Sequence, residues 1–254
     1  MADLNDLRNE IDEINDGITA LLVKRMRLSE EIALAKRESG DAVYCPEREK
    51  QILDAVSARA GLYSGGARLV FAALMDASKE RQRELRTLWE AKPAALIGMP
   101  GCGKTSIGKM LAETFLREEF IDTDAVFLKR YGLSAGECIR THGEAEFRKA
   151  EAEILAEAVS KKGCVIATGG GAVVSEENRR LLKEKCIVYR IERDPALLPE
   201  TGRPLSADKG IKALYEERKA WYEETACAVI DNGAGITEAA ERIYEDLLTR
   251  LNIR

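Results

Sequence analysis

The sequence predicts two domains of different class: an all-helical domain over residues 1–90 and an α/β domain with a doubly wound parallel sheet over residues 94–254. Three observations predict it. Up to about residue 88, apolar residues recur at alternating spacings of three and four, the period of a helix face. From Ala94 onward, short apolar runs alternate with helical stretches, the order of parallel βαβ units. The chain has 254 residues, 45% of them hydrophobic, which is enough to give each domain its own core.

The first helix spans about Asp3 to Glu38, with apolar residues at Leu4, Leu7, Ile11, Ile14, Ile18, Leu21, Leu28, Ile32 and Ala35. Arg25 occupies the place in that series where another apolar residue is due. At 1.5 Å per residue the helix is about 50 Å long, too long to be covered by the few dozen residues that follow, so its stripe calls for a second copy of the chain. A turn at Ser39-Gly40-Asp41 leads to a second helix that starts at Pro46, runs to about Ala60, and is closed by Gly61 with Ser64-Gly65-Gly66. The third helix carries an inward stripe of Phe71, Met75, Ser78, Gln82 and Leu85, with two polar residues on a face that should be dry. Trp89 to Pro93 forms the connection to the second domain.

There the predicted strands are Ala94–Ile97, Glu119–Ile121, Cys164–Ala167, Ile187–Ile191 and Cys227–Ile230. They are separated by helices over Ser106–Leu116, Glu146–Ser160, Glu176–Lys185, Ile211–Glu224 and Thr237–Leu251.

A net charge of −5 argues against nucleic acid or an anionic membrane surface as a partner. The six cysteines form no C-x-x-C pair and His142 is the sole histidine, which fits reduced thiols and argues against zinc. The first residues are charged and helical in pattern, and no apolar run reaches membrane-spanning length; the expectation is a cytoplasmic protein.

Residues 98–105 read G-M-P-G-C-G-K-T directly after the first predicted strand, the order of a phosphate-binding loop. Gly98, Gly101 and Gly103, with Cys102 and Ser106, belong to a backbone cradle whose N–H groups turn toward a polyphosphate. Lys104 reaches the outer phosphates, and the Thr105 hydroxyl suits Mg2+. A nucleoside triphosphate, ATP, is the expected co-substrate.

Three more clusters fall at strand ends or helix starts, where such folds place ligands. Asp122 and Asp124 follow the second strand and suit Mg2+ and an acceptor hydroxyl. Arg148, with Glu151 nearby, suits bidentate capture of an anion. Thr168-Gly169-Gly170-Gly171 follows the third strand and lets a ligand approach the backbone. Taken singly, each is equally a capping aspartate, a surface ion pair or a tight turn.

In this order, G-M-P-G-C-G-K-T, D-T-D, F-R-K-A-E, G-G-G, Arg203-Pro204-Leu205 and the Glu217-Arg218 helix with Tyr222 resemble shikimate kinase. The resemblance covers residues 94–254. It implies a fold of the nucleoside-monophosphate-kinase type and transfer of the ATP γ-phosphate to the 3-hydroxyl of shikimate. It further implies that Arg148, Arg218 and the Gly169–Gly171 loop hold shikimate, with Arg203 approaching from a lid. Asp124 is implied as the acceptor's partner and base, Asp122 as a contact of Mg2+ through water, and Lys104 as the stabiliser of the transferring group. The stretch from Glu192 to Arg203 departs from the family, being several residues shorter than its lid and lacking a clear match to its additional lid arginine.

In the first domain, Arg25 sits on a core stripe and Lys36 follows eleven residues later on nearly the same face. Ser78 and Gln82 share a face of the third helix, and Arg48-Glu49 opens the second. Solvated charges on an interaction module account for each singly. The whole set, Arg8, Arg25, Lys36, Arg48, Glu49, Ser78 and Gln82, resembles in order and spacing the all-helical chorismate mutases. That resemblance implies an intertwined homodimer that converts chorismate to prephenate without metal or cofactor. Arg8 of the other chain, Arg25 and Arg48, aided by Ser78, are implied to hold the carboxylates, Lys36 and Gln82 to stabilise the breaking ether oxygen, and Glu49 to hold the ring hydroxyl. Cys45 departs from the acidic residue expected just before this segment. The alternative is another small-molecule kinase of the same fold carrying a non-catalytic helical module for dimerisation or ligand sensing.

Overall fold

A computed structural model describes residues 3–194 and 210–253. The chain divides into two compact units, Met1–Thr87 and Leu88–Arg254.

The first unit contains α1 (Leu4–Ser39), α2 (Pro46–Ala60) and the greater part of α3 (Ser64–Glu90). The Asp3 side chain caps α1 by accepting from the Asn5 N–H, and Gly40 ends the helix in the left-handed conformation at φ 76°. Pro46 is the first residue of α2, as its position in the sequence predicts. One expectation is corrected here. Ser64-Gly65-Gly66 does not close α2 but opens α3, because a 3-10 turn at Gly61–Tyr63 passes the chain directly into the next helix.

The C-terminal half of α1 packs on α3, where Ser29, Ala33, Met75, Ser78, Gln82 and Leu85 are buried. Its N-terminal half is different. Leu4, Leu7, Ile11, Ile14, Ile18 and Leu21 are 44–68% exposed in the single chain, although they continue the same stripe.

The second unit is built on five parallel strands: β1 (Ala94–Ile97), β2 (Phe120–Asp122), β3 (Val165–Ala167), β4 (Ile187–Glu192) and β5 (Ala228–Asp231), in the order β2-β3-β1-β4-β5. Register is set by pairs such as Leu96 with Ala167 and with Tyr189. The sequence order β1, β2, β3 becomes a spatial order in which β3 lies between β1 and β2 while β4 and β5 lie on the other side of β1, so the direction in which strands are added reverses beside β1, and such a switch opens a crevice at the carboxyl ends of the strands. Strands β1 and β3 are entirely buried, which explains their unbroken apolar runs.

Helix α4 (Lys104–Met110) continues into a π-helical turn, Leu111–Leu116, and packs with α10 (Ile236–Arg250). Helices α7 (Glu144–Val159), α8 (Glu176–Lys185) and α9 (Ile211–Thr225) pack in series. Two short helices, α5 (Thr123–Tyr131) and α6 (Ala135–His142), lie where the sequence reading places no helix. A capping box at Ser134 and Glu137 starts α6: each residue's side chain takes up the other's backbone N–H. Among the described residues, no helix is long and apolar enough to cross a membrane.

Candidate active sites

In the second unit a cavity of about 780 Å³ opens at the carboxyl ends of the strands. One end is the glycine loop between β1 and α4. Gly98, Gly101 and Gly103 all have positive φ, and at Gly103, with φ 105°, a side chain would be strained as well as crowded. The buried Lys104 turns back over the loop, donating to the Gly98 and Met99 carbonyls at 2.9 Å each. Thr105 Oγ1 donates to Asp122 Oδ2 at 2.7 Å, while Asp122 Oδ1 accepts from the Asp124 and Ala125 N–H groups and caps α5. Ser106 is exposed beside the cavity that it helps to line. Asp122 is thus fixed by the start of one helix while its second oxygen faces the Thr105 hydroxyl.

The other end is formed by α7, the glycine turn after β3, and α9. Arg148 donates to Glu151 Oε2 at 2.7 Å and to Glu144 Oε1 at 3.0 and 3.2 Å, leaving its guanidinium held by two carboxylates on its own helix. A Cβ on Gly171 would lie 2.5 Å from an Arg148 nitrogen, so the glycine turn and the guanidinium share a space that any side chain would fill. Burial pushes the Glu151 carboxyl up; the Arg148 charge opposes this and the Asp124 charge adds to it. Arg148 itself stays above the ordinary guanidinium value although burial opposes it, because Glu151 and Glu144 stabilise its charge.

Asp124 reaches the same place from α5. A Cβ on Gly169 would meet Asp124 Oδ1 at 2.8 Å and Glu151 Oε1 at 3.0 Å. From α9, Arg218 and Tyr222 both donate to the Gly170 carbonyl, at 3.0 and 2.6 Å. Arg218 is buried, lines the cavity, and has an Nε with no hydrogen-bond partner among the described residues. An orphaned buried donor of this kind favours an anionic ligand.

The structure therefore brings together Lys104, Thr105, Asp122, Asp124, Arg148, Gly169–Gly171 and Arg218, all singled out in the sequence. Arg203 lies outside the described residues. The sequence reading missed the wall that α6 contributes, including Ala135, Ile139 and Arg140. The S-x-x-E capping signature at Ser134 is the signal that could have found it.

In the first unit, Arg25 donates to the Leu74 carbonyl at 2.8 Å and to Ser78 Oγ, which joins α1 to α3. Gln82 Nε2 donates to Ser29 Oγ at 2.9 Å, and Gln82 Oε1 has no partner among the described residues. Lys36 donates to the Val43 carbonyl at 2.8 Å and Arg48 to Gln51. Glu49 pairs with Lys79 at 3.0 Å; Lys79 also reaches Asp76 and lies over the Tyr44 ring. Arg25, Ser78 and Gln82 thus gather at one place, with Lys79 linking α3 to the start of α2. Arg8 stands apart on the exposed half of α1, about 26 Å from Arg25 at 1.5 Å per residue. Ser29 and Lys79 were not singled out in the sequence; the contacts that tie them into this cluster, Ser29 with Gln82 and Lys79 with Glu49, cross between helices.

A glycine loop feeding a helix beside a parallel sheet, a hydroxyl and carboxylate at its mouth, and two arginines opposite define a P-loop kinase of small anionic substrates. The chain belongs to the shikimate kinase family, whose model matches residues 100–248; the model of chorismate mutase type II matches residues 7–83. It is 40% identical over 151 residues to shikimate kinase of Bordetella avium (strain 197N), covering 56% of this chain and 72% of that one. With shikimate kinase of Enterococcus faecalis (strain ATCC 700802 / V583) it shares 37% over 166 residues, covering 61% and 96%.

Among solved structures, shikimate kinase from Acinetobacter baumannii in complex with shikimate matches with a TM-score of 0.61 and 30% identity, covering 65% of this chain and 98% of that one. Shikimate kinase from Aquifex aeolicus matches with a TM-score of 0.54 and 32% identity, covering 62% and 97%. The chain is therefore a bifunctional enzyme of aromatic biosynthesis, with an isomerase domain of the chorismate mutase type ahead of a shikimate kinase domain. ATP is the co-substrate that membership of the kinase family implies.

Proposed function

We propose that residues 94–254 transfer the ATP γ-phosphate to the 3-hydroxyl of shikimate at the cavity described, and that residues 1–90 rearrange chorismate to prephenate. The observation that carries the kinase reading is the pairing across one cavity of a phosphate cradle with Asp124 and two arginines. Gly98, Gly101, Cys102, Gly103 and Ser106 supply the cradle and helix start, and Lys104 exchanges its two backbone carbonyls for phosphate oxygens. Arg148 and Arg218 hold the shikimate carboxylate, with the Gly169–Gly171 turn against the ring and Arg203 as a further contact. Asp124 accepts the proton of the attacking hydroxyl as its oxygen forms the new bond to phosphorus and ADP leaves.

The donor set of a hydroxyl and a carboxylate at 2.7 Å, all oxygen, fits Mg2+, with Thr105 as a ligand and Asp122 acting through water. When bound, Mg2+ would neutralise charge on the phosphates.

For the mutase, the dianion is held by Arg25, Arg48, Ser78 and the second chain's copy of Arg8, in a compact shape close to the transition state. Lys36 and Gln82 donate to the ether oxygen as its bond breaks, and Glu49 holds the ring hydroxyl. The exposed stripe of α1 and the separation of Arg8 from Arg25 support a homodimer with shared sites. Six free cysteines support a cytoplasmic location.

The test is one preparation assayed separately for chorismate loss and for shikimate-dependent ADP release. Lys104→Ala and Asp124→Asn should each abolish most of the second activity and spare the first, and Arg25→Ala should do the reverse. Wild-type kinase rates in both kinase-site variants would sink the assignment.

A further inference from the structure

The phosphate cradle is braced from outside by a residue that the motif does not contain. Asn232 follows β5 and is buried; its backbone N–H donates to the Glu192 carbonyl at 2.8 Å, which ties it to the end of β4. Its side-chain Nδ2 donates at 2.8 Å to the carbonyl of Cys102, in the middle of the glycine loop. A trans peptide is planar, so the Cys102 carbonyl and the Gly103 N–H that share one peptide unit point in opposite directions. Holding the carbonyl outward on Asn232 turns the Gly103 N–H the other way, toward the cavity that Gly103 lines. The contact is also close. A Cβ on Gly103 would lie 2.4 Å from Asn232 Nδ2. Only an amide nitrogen suits this position, because an aspartate would set oxygen against the Cys102 carbonyl.

We propose that Asn232 is a positioning residue for the nucleotide: it presets the Cys102–Gly103 peptide so that the Gly103 N–H is already aimed at a phosphate oxygen before ATP arrives. Asn232 does not line the cavity, so its influence on binding passes through that one peptide unit. Glycine loops have the most backbone freedom to lose on ordering, and a brace of this kind removes part of that loss from the binding step. The inference rests on the reading of the glycine loop as the ATP site.

The experiment uses the full chain as Asn232→Ala and Asn232→Ser; the serine hydroxyl is one atom too short to take the place of the amide nitrogen. ADP affinity is read by titration calorimetry, the KM for shikimate from ADP release, and folding from the thermal unfolding midpoint. The dissociation constant for ADP should rise about tenfold in both variants, while the KM for shikimate stays within about twofold of wild type. The inference is overturned if ADP binds within about twofold of wild type, or if affinity for both substrates falls together in step with a lowered midpoint. It is equally overturned if neither variant folds, since Asn232 would then serve the fold and not the nucleotide. A wild-type chain that binds no ADP would instead remove the kinase-site reading beneath it.

Discussion

Arg218 and Tyr222, one turn apart on α9, both donate to the single carbonyl of Gly170. The carbonyl thereby fixes α9, and with it Arg218, against the glycine turn, and a carbonyl with two lone pairs accepts both donors without competition. Burial pushes the Tyr222 hydroxyl up, so it remains a donor throughout the working pH range. Tyr222→Phe deletes one of the two bonds and leaves the helix packing unchanged. The expected result is a rise of roughly three- to tenfold in the KM for shikimate, with the KM for ATP nearly unaffected, measured by coupled ADP release. Equal changes in both constants would show that the bond serves folding alone.

The proposed sharing of mutase sites between two chains makes a prediction in trans. Arg8→Ala and Arg25→Ala chains should each be inactive alone and regain activity when co-folded, because a mixed dimer contains one site with both lesions and one with neither. Random mixing gives mixed dimers in about half the population, hence roughly a quarter of wild-type activity when the sites are independent. Absence of recovery in verified mixed dimers would put both arginines in one site.

Gln82 is neutral at every working pH, and its amide nitrogen already points a donor at Ser29. A glutamate there would donate only when protonated, and near neutrality it would bring negative charge to an oxygen that is gaining its own. Gln82→Glu should therefore lower chorismate turnover at pH 7 to 8 and recover part of it on acidification, with kinase rates nearly unchanged. The check is the mutase pH profile; one that overlays wild type removes Gln82 from the ether contact.

Cys164 and Cys186 give a prediction for alkaline stability. Burial pushes the first thiol up to about 11 and the second to about 12. Both are raised above an ordinary thiol, about 8.5, so the folded chain holds these protons after the unfolded chain has released them. The stability that each contributes is complete below about pH 8.5 and is lost as pH rises toward the folded values, at about 1.4 kcal/mol per pH unit for each thiol. Urea unfolding between pH 8 and 10.5 should show this slope, and the Cys164→Ala, Cys186→Ala double variant should show less of it. Parallel slopes would exclude the thiols as its source.

Much of this architecture was legible because it is periodic. The stripe of α1 and the alternation of apolar runs after Ala94 are properties of chain order, and they fixed the helical half and the parallel sheet. The glycine loop and the D-T-D, F-R and G-G-G clusters were legible because each is local, and the fold needs only to bring strand ends together to assemble them. What escaped is contact between distant segments. Arg190 is buried within β4 and is satisfied by Glu192, by the Tyr215 hydroxyl at 3.0 Å and by Glu223 at 3.3 Å. Nothing in the sequence around Arg190 signals partners that arrive from α9. Helices α5 and α6 escaped for another reason: each is about two turns long, too short for a hydrophobic period to stand out.

The bare leucines and isoleucines along the first half of α1 make the two halves of the proposed enzyme answer differently to dilution. A mutase site completed by a second chain exists only as far as mass action keeps chains paired, whereas a kinase cavity enclosed by one chain is indifferent to how many others are present. The ratio of chorismate turnover to shikimate phosphorylation in a single sample then becomes a gauge of protein concentration, falling as the chains separate and constant once they are all paired.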